Sequence, residues 1–147
     1  MKNPTNMKKL WFVFALLLLF AGSTMAQEAN YAKPHKIVVQ LQSGDTLAHK
    51  SLFKQLNNMI TVSPKSQIEV VCHGPGIAIL MPEKSKFTHE IKPLVDKGVV
   101  FVACEFTMSE KKITKEQLSP EAGLVKYGIL EVVTKQEKGW SYIKGGF

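Results

Sequence analysis

The sequence predicts a three-layer α/β/α fold on a mainly parallel sheet. Two observations carry this expectation. Short apolar runs rich in Val, Ile and Phe alternate along the chain with segments of helical periodicity, the pattern that packs helices onto both faces of a sheet. The runs Ile68–His73 and Val99–Cys104 are also almost continuously apolar, as strands covered on both faces are.

The first strand is expected over His35–Leu41. Ser43-Gly44-Asp45-Thr46 makes the following turn, and Asp45 or Thr46 is suited to cap a helix. Leu47, Leu52, Leu56 and Met59-Ile60 then recur at roughly helical spacing, and Pro64 closes the segment. Ile68–His73 is the second strand, ended by Gly74-Pro75-Gly76, with a short apolar segment from Ile77 to Met81. Phe87, Ile91 and Leu94-Val95 mark an amphipathic helix stopped by Gly98. Val99–Cys104 is the third strand and runs straight into a helix start at Glu105. Ile113 and Leu118 fall in a short helix or loop. Leu124–Tyr127 is read as a fourth strand, Gly128 to Lys138 as a helix, and Trp140–Lys144 as an alternating edge strand.

The N-terminus reads as an address. Lys2, Lys8 and Lys9 precede the apolar run Leu10–Gly22, and Thr24-Met25-Ala26 supplies small residues for cleavage before Gln27. The run is short for a membrane anchor, which needs about 20 apolar residues, and no cysteine follows it to carry a lipid. The expectation is a signal peptide over 1–26, a flexible arm over 27–34 and one domain over 35–147. The protein is then periplasmic or secreted, with no membrane association after cleavage.

The formal charge of +7 on 147 residues overstates the basic character, because three lysines lie in the leader and their removal leaves +4. All 19 basic side chains are Lys. With no Arg for bidentate recognition of phosphate or base edges, nucleic-acid binding is disfavoured.

Cys104 is the foremost candidate for chemistry. It ends a buried strand and opens a helix, where ligands gather in open α/β sheets and where the helix dipole favours thiolate. A buried structural cysteine is the competing reading. In the loop Cys72-His73-Gly74-Pro75-Gly76, the glycines permit a sharp turn or close approach to a ligand. His73 is either an acid or base or the satisfied cap of a strand end. The loop has neither dinucleotide-loop spacing nor the Lys-Ser/Thr of a P-loop, and no Gly-x-Ser-x-Gly elbow occurs. A metal site is disfavoured because adjacent strand residues such as Cys72 and His73 point to opposite faces. His35, His49 and His89 add no ligand spacing, and no cofactor is implied. A redox pair of Cys72 and Cys104 would need Cα atoms within about 7 Å.

Three stretches carry a family resemblance: Val70–Gly76, Gly98–Met108, and Val125 through Gly128, Glu131 and Gln136 to Gly139–Lys144. In their order and separation the chain resembles the exported branch of the DsrE/DsrF-like family, whose founding members handle sulfur. The resemblance implies a five-stranded parallel sheet, a homo-oligomer such as a trimer or hexamer, and persulfide carriage on Cys104 with a sulfur donor or acceptor protein. Any enzymatic activity would be at most sulfur transfer by a carrier. Phe106 departs from the Asn that exported relatives tend to have, which removes an amide beside the thiol. The site expected from residues and resemblance together is Cys104 with His73, Gly74, Pro75, Gly76, Phe106, Thr107 and Met108. The alternative function is a binding module for a small molecule or protein, with Cys104 part of the core.

Overall fold

The computed structural model describes residues 31–146, so the expected leader over 1–26 and the first part of the arm lie outside the described residues. The chain divides into units at 1–33 and 34–147, and every described strand belongs to the second. Five strands form one sheet: β1 Lys36–Leu41, β2 Gln67–Cys72, β3 Val99–Cys104, β4 Gly123–Val125 and β5 Ser141–Lys144. Their order is β4-β3-β2-β1-β5, and every pairing is parallel. The helices between them are α1 Thr46–Val62, α2 Ile91–Val95, α3 Glu105–Lys111 and α4 Gly128–Glu137. The α/β class with helices on both faces of a parallel sheet is the one expected from the sequence.

The two faces are covered unequally. On the first, Val39, Leu41, Val70, Cys72, Phe101 and Ala103 pack against Leu52, Phe53 and Leu56 of α1 and Ile91 and Leu94 of α2. Phe53 sits between Phe87 and Phe101, with ring centroids 6.0 and 6.2 Å away. The second face is thinner, with Val38, Val71 and Val102 meeting Val132 of α4 and flanked by Val125 and Trp140. Glu69 of β2 has the parity of Val71 and so shares this second face. It forms an ion pair with Lys135 at 2.6 Å. Its other oxygen, Oε1, is buried without a hydrogen-bond partner.

Local chemistry explains where elements begin and end. Asp45 caps α1, its Oδ1 accepting from the N–H groups of Leu47 and Ala48 at 2.7 and 3.0 Å. Leu47, expected on the apolar side, is exposed, and the buried face of α1 runs through Ala48, Leu52, Phe53, Leu56 and Ile60. The helix expected from Phe87 starts only at Ile91, after a 3₁₀ turn over Thr88–Glu90. Pro93 explains the late start, since it has no N–H to donate and is accommodated only in a first turn. Ile77–Met81 lies mostly in a 3₁₀ helix over Gly74–Leu80. The fourth strand ends at Val125, not at Tyr127, and Tyr127 is the N-cap of α4.

Candidate functional site

The helices after β3 and β4 leave in opposite directions. Met108 of α3 joins the core of the first face, whereas Val132 of α4 joins that of the second. Where successive helices part like this, a crevice opens beyond the carboxyl ends of the strands. A cavity of about 370 Å³ occupies it, lined by residues from four strand ends: Gln42, His73 and Gly74, Cys104, and Tyr127 and Gly128. Phe106, Thr107 and Glu110 of α3 and Ile129 and Leu130 of α4 complete the wall.

Cys104 lies at the bottom. Only 4% of its surface is exposed, yet it lines the cavity, so access to the thiol runs through that opening. Parity decides its neighbours. Cys72 pairs with Ala103 in the β2–β3 register and shares the first-face core with it. Cys104, one residue further, therefore points to the opposite face. Both thiols are free, and this placement separates their environments. Burial pushes the Cys72 thiol far up.

Burial also raises the Cys104 thiol, but hydrogen bonds to sulfur outweigh it and hold the pKa below the ordinary value. The groups that lower it are the backbone of Thr107 and of Gly128, the Thr107 side chain and, least, the Phe106 backbone. The Gly128 N–H donates to Sγ at 3.2 Å, and the Phe106 N–H also donates to the Lys126 carbonyl at 3.2 Å. Thr107 Oγ1 accepts from the Gly74 N–H at 3.0 Å, which ties the start of α3 to the loop after β2. A sulfur surrounded by donors in a partly dry cavity is stabilised as thiolate.

Gly128 allows this approach. A Cβ there would lie 3.1 Å from the Cβ atoms of both Cys104 and His73 and 3.3 Å from Val71 Cγ1. Only a residue without a side chain brings the start of α4 so close to the ends of β2 and β3.

His73 is 6% exposed, and burial lowers its pKa, so the ring is neutral at neutral pH. Tyr142 donates its hydroxyl proton to Gln40 Oε1 at 2.7 Å, which orients the Gln40 amide to donate to His73 Nε2 at 2.8 Å. The ring proton is thereby assigned to Nδ1. His73 thus adds no positive charge to the cavity.

Of the residues anticipated from sequence, the cavity brings together Cys104, His73, Gly74, Phe106 and Thr107. Pro75, Gly76 and Met108 are not in its lining. Pro75 is exposed and lies against Gly44. At Gly76 a Cβ would fall 2.3 Å from the Leu41 carbonyl oxygen, so this glycine serves close packing of the loop on β1. Met108 is buried in the first-face core. Sequence reasoning missed Gln40, Gln42, Glu110, Tyr127, Gly128, Ile129, Leu130 and Tyr142 as site residues. The rule that singled out Cys104, a residue at the carboxyl end of a parallel strand, would have found Gln42 and Tyr127 if applied to β1 and β4. Among the described residues no group of three or more His, Cys, Asp or Glu side chains is placed to hold a metal ion.

A family model described as the DsrE/DsrF-like family matches residues 4–144. Among solved structures the chain is similar to a protein of unknown function from Methanobacterium thermoautotrophicum, with a TM-score of 0.72 and 24% identity. That similarity covers 75% of this chain and 98% of the other, and it is a likeness of fold. No curated protein matches.

Proposed function

We propose, for a chain that belongs to the DsrE/DsrF-like family, that Cys104 carries one sulfane sulfur as a persulfide and hands it to a partner. Family membership suggests a role related to sulfur relay, and the observation that carries the finer reading is the state of the thiol. The Gly128 N–H donates to Cys104 Sγ, the surroundings hold the thiol pKa below its ordinary value, and the sulfur faces a cavity with room for an added sulfur. The carrier needs no metal or cofactor, since a thiolate is itself the nucleophile toward sulfane sulfur. It acts outside the cytoplasm, after removal of residues 1–26. Among the described residues no helix is long and apolar enough to cross a membrane. Its partners are a sulfur donor or acceptor and further copies of this chain.

Intact-mass measurement after incubation with polysulfide tests the carrier. The wild type and Cys72→Ser should gain the mass of sulfur on Cys104, and Cys104→Ser should gain none. A native thiol that takes up no sulfur would sink the reading. The 4% exposure of Cys104 favours a second reading, a binding module in which the cysteine is structural. Native-state alkylation separates the two, because a structural cysteine reacts only on unfolding. N-terminal sequencing of the exported protein should begin at Gln27, and finding Leu10–Gly22 retained would refute cleavage.

A further inference from the structure

Given a persulfide carrier at Cys104, and resting on that reading, we propose that its sulfur donor is a small organic hydropersulfide, R–S–SH, with an uncharged R group. The cavity discriminates against donors that bring negative charge.

The lining falls into two zones. Around the mouth, Phe106, Tyr127, Ile129 and Leu130 are 55, 46, 60 and 58% exposed, a collar of large apolar side chains left facing water beside one buried sulfur. Phe106 and Tyr127 support each other, with ring centroids 6.2 Å apart. At the bottom, the Gly128 N–H donates to Sγ, and Thr107 and Gly128 together favour the charged form of the thiol.

Among the described residues, none in the lining carries a positive charge. Glu110 is the one charged residue among them, and it is acidic. His73 accepts from Gln40 and stays neutral. The neighbouring cation Lys126 has its ammonium over the Tyr127 ring, 5.7 Å from the centroid, and does not line the cavity. A donor with a dianionic R group would thus meet the thiolate and Glu110 with no compensating cation in the cavity wall. An uncharged R group instead covers the collar and removes apolar surface from water. The volume of about 370 Å³ lies at the small end of ligand pockets, which suits a compact donor.

The transfer balances without an external oxidant. The Cys104 thiolate attacks the outer sulfur of R–S–SH, and a new S–S bond forms as the old one breaks. The bonding pair leaves with R–S⁻, which takes a proton from water. The product is Cys104–S–SH. Cys104 sulfur is formally oxidised and the sulfur bound to R is reduced to the same extent.

The test compares two donors released in place from S-acyl precursors, 2-hydroxyethyl hydropersulfide (R uncharged) and mercaptosuccinyl hydropersulfide (two carboxylates on R). The rate at which the full protein gains one sulfur is read by intact mass and divided by the rate of the same donor with free cysteine. The donor with uncharged R should be favoured at least about tenfold, the scale set by two extra charges repelled at close range. Glu110→Lys should shrink that ratio by about threefold or more, and Glu110→Gln should shrink it less. Equal normalised rates, or a ratio indifferent to both Glu110 variants, would overturn the donor class and leave the carrier standing. Loading by neither donor would overturn both.

Discussion

Replacing Gly128 with Ala tests the close approach that defines the site. The added methyl would meet the Cβ atoms of Cys104 and His73 at 3.1 Å and Val71 Cγ1 at 3.3 Å. Two of the three obstacles are Cβ atoms fixed to strand backbones, so α4 must yield by a few tenths of an ångström. Overpacking of this kind costs about 1–3 kcal/mol, while Ala in a helix recovers about 0.5–1 kcal/mol over Gly. A net loss of about 1 kcal/mol follows. The larger effect falls on the thiol, because retreat of α4 lengthens the Gly128 N–H···Sγ bond from 3.2 Å. A hydrogen bond to a charged group contributes about 1.5 kcal/mol or more, which is about tenfold in thiolate population at neutral pH. A more basic thiolate is also more nucleophilic, with a Brønsted slope of about 0.4–0.5, so roughly half of that loss is regained. Alkylation of folded Gly128→Ala by iodoacetamide should therefore be roughly fourfold slower at neutral pH. Its plateau at alkaline pH should be roughly threefold higher than that of the wild type. This crossing of the two rate profiles separates a lost hydrogen bond from a blocked entrance, which would lower both limbs. Superimposable profiles, with stability unchanged, would refute the reasoning.

Thr107→Val removes the hydroxyl that accepts from the Gly74 N–H and helps to hold the Cys104 thiol pKa down. It should cost about 1–3 kcal/mol in chemical denaturation and slow neutral-pH alkylation in the same way, and unaltered reactivity would exclude a role for this hydroxyl. At Glu69 burial pushes the carboxyl pKa up by more than Lys135 pulls it down. The stability it contributes is then fully present below the unfolded pKa and lost as pH rises through the folded one. Glu69→Gln should accordingly gain stability relative to wild type as pH rises above about 4, the range of an unfolded carboxyl, and denaturation curves showing the opposite trend would contradict this. On the α4 side of the sheet, Val100 and Val133 remain 48 and 41% exposed outside the cavity, apolar surface of the kind that marks interfaces. Light scattering at micromolar concentration should give a multiple of the chain mass and Val133→Glu should reduce it, whereas a monomeric wild type would remove the claim of self-association.

The sheet was legible because each strand announces itself locally. Val99–Cys104 is apolar at every position and is bounded by Gly98 and by Glu105, so its expected and observed limits coincide. The helix between strands two and three was less legible, because the spacing of Phe87, Ile91 and Leu94 records which side chains are buried and not which backbone is helical. The same three residues can pack from a 3₁₀ turn followed by a short helix, and Pro93 makes that the workable solution. The β-branched pair Val132-Val133 in α4 would suit a strand as well as a helix, and packing decides for the helix. Val132 is needed under the thin second face, and a helix delivers it there while Val133 remains exposed.

The site was legible to the extent that it obeys one topological rule. Cys104 and His73 stand at or just beyond the ends of β3 and β2, and parallel strands bring such positions together whatever their separation in sequence. What sequence could not supply is the direction in which each following helix leaves. That direction makes Thr107 a cavity residue while its neighbour Met108 is core, and it sets Gly128 against the sulfur. Gly76 illustrates the complementary case. A glycine in this loop suits either a sharp turn or close approach to a ligand, and the group Gly76 approaches is the chain's own Leu41 carbonyl. A glycine beside a strand end signals close contact without naming the partner. Here Gly76 serves the scaffold and Gly128 serves the thiol, and the atoms a Cβ would strike are what distinguish them.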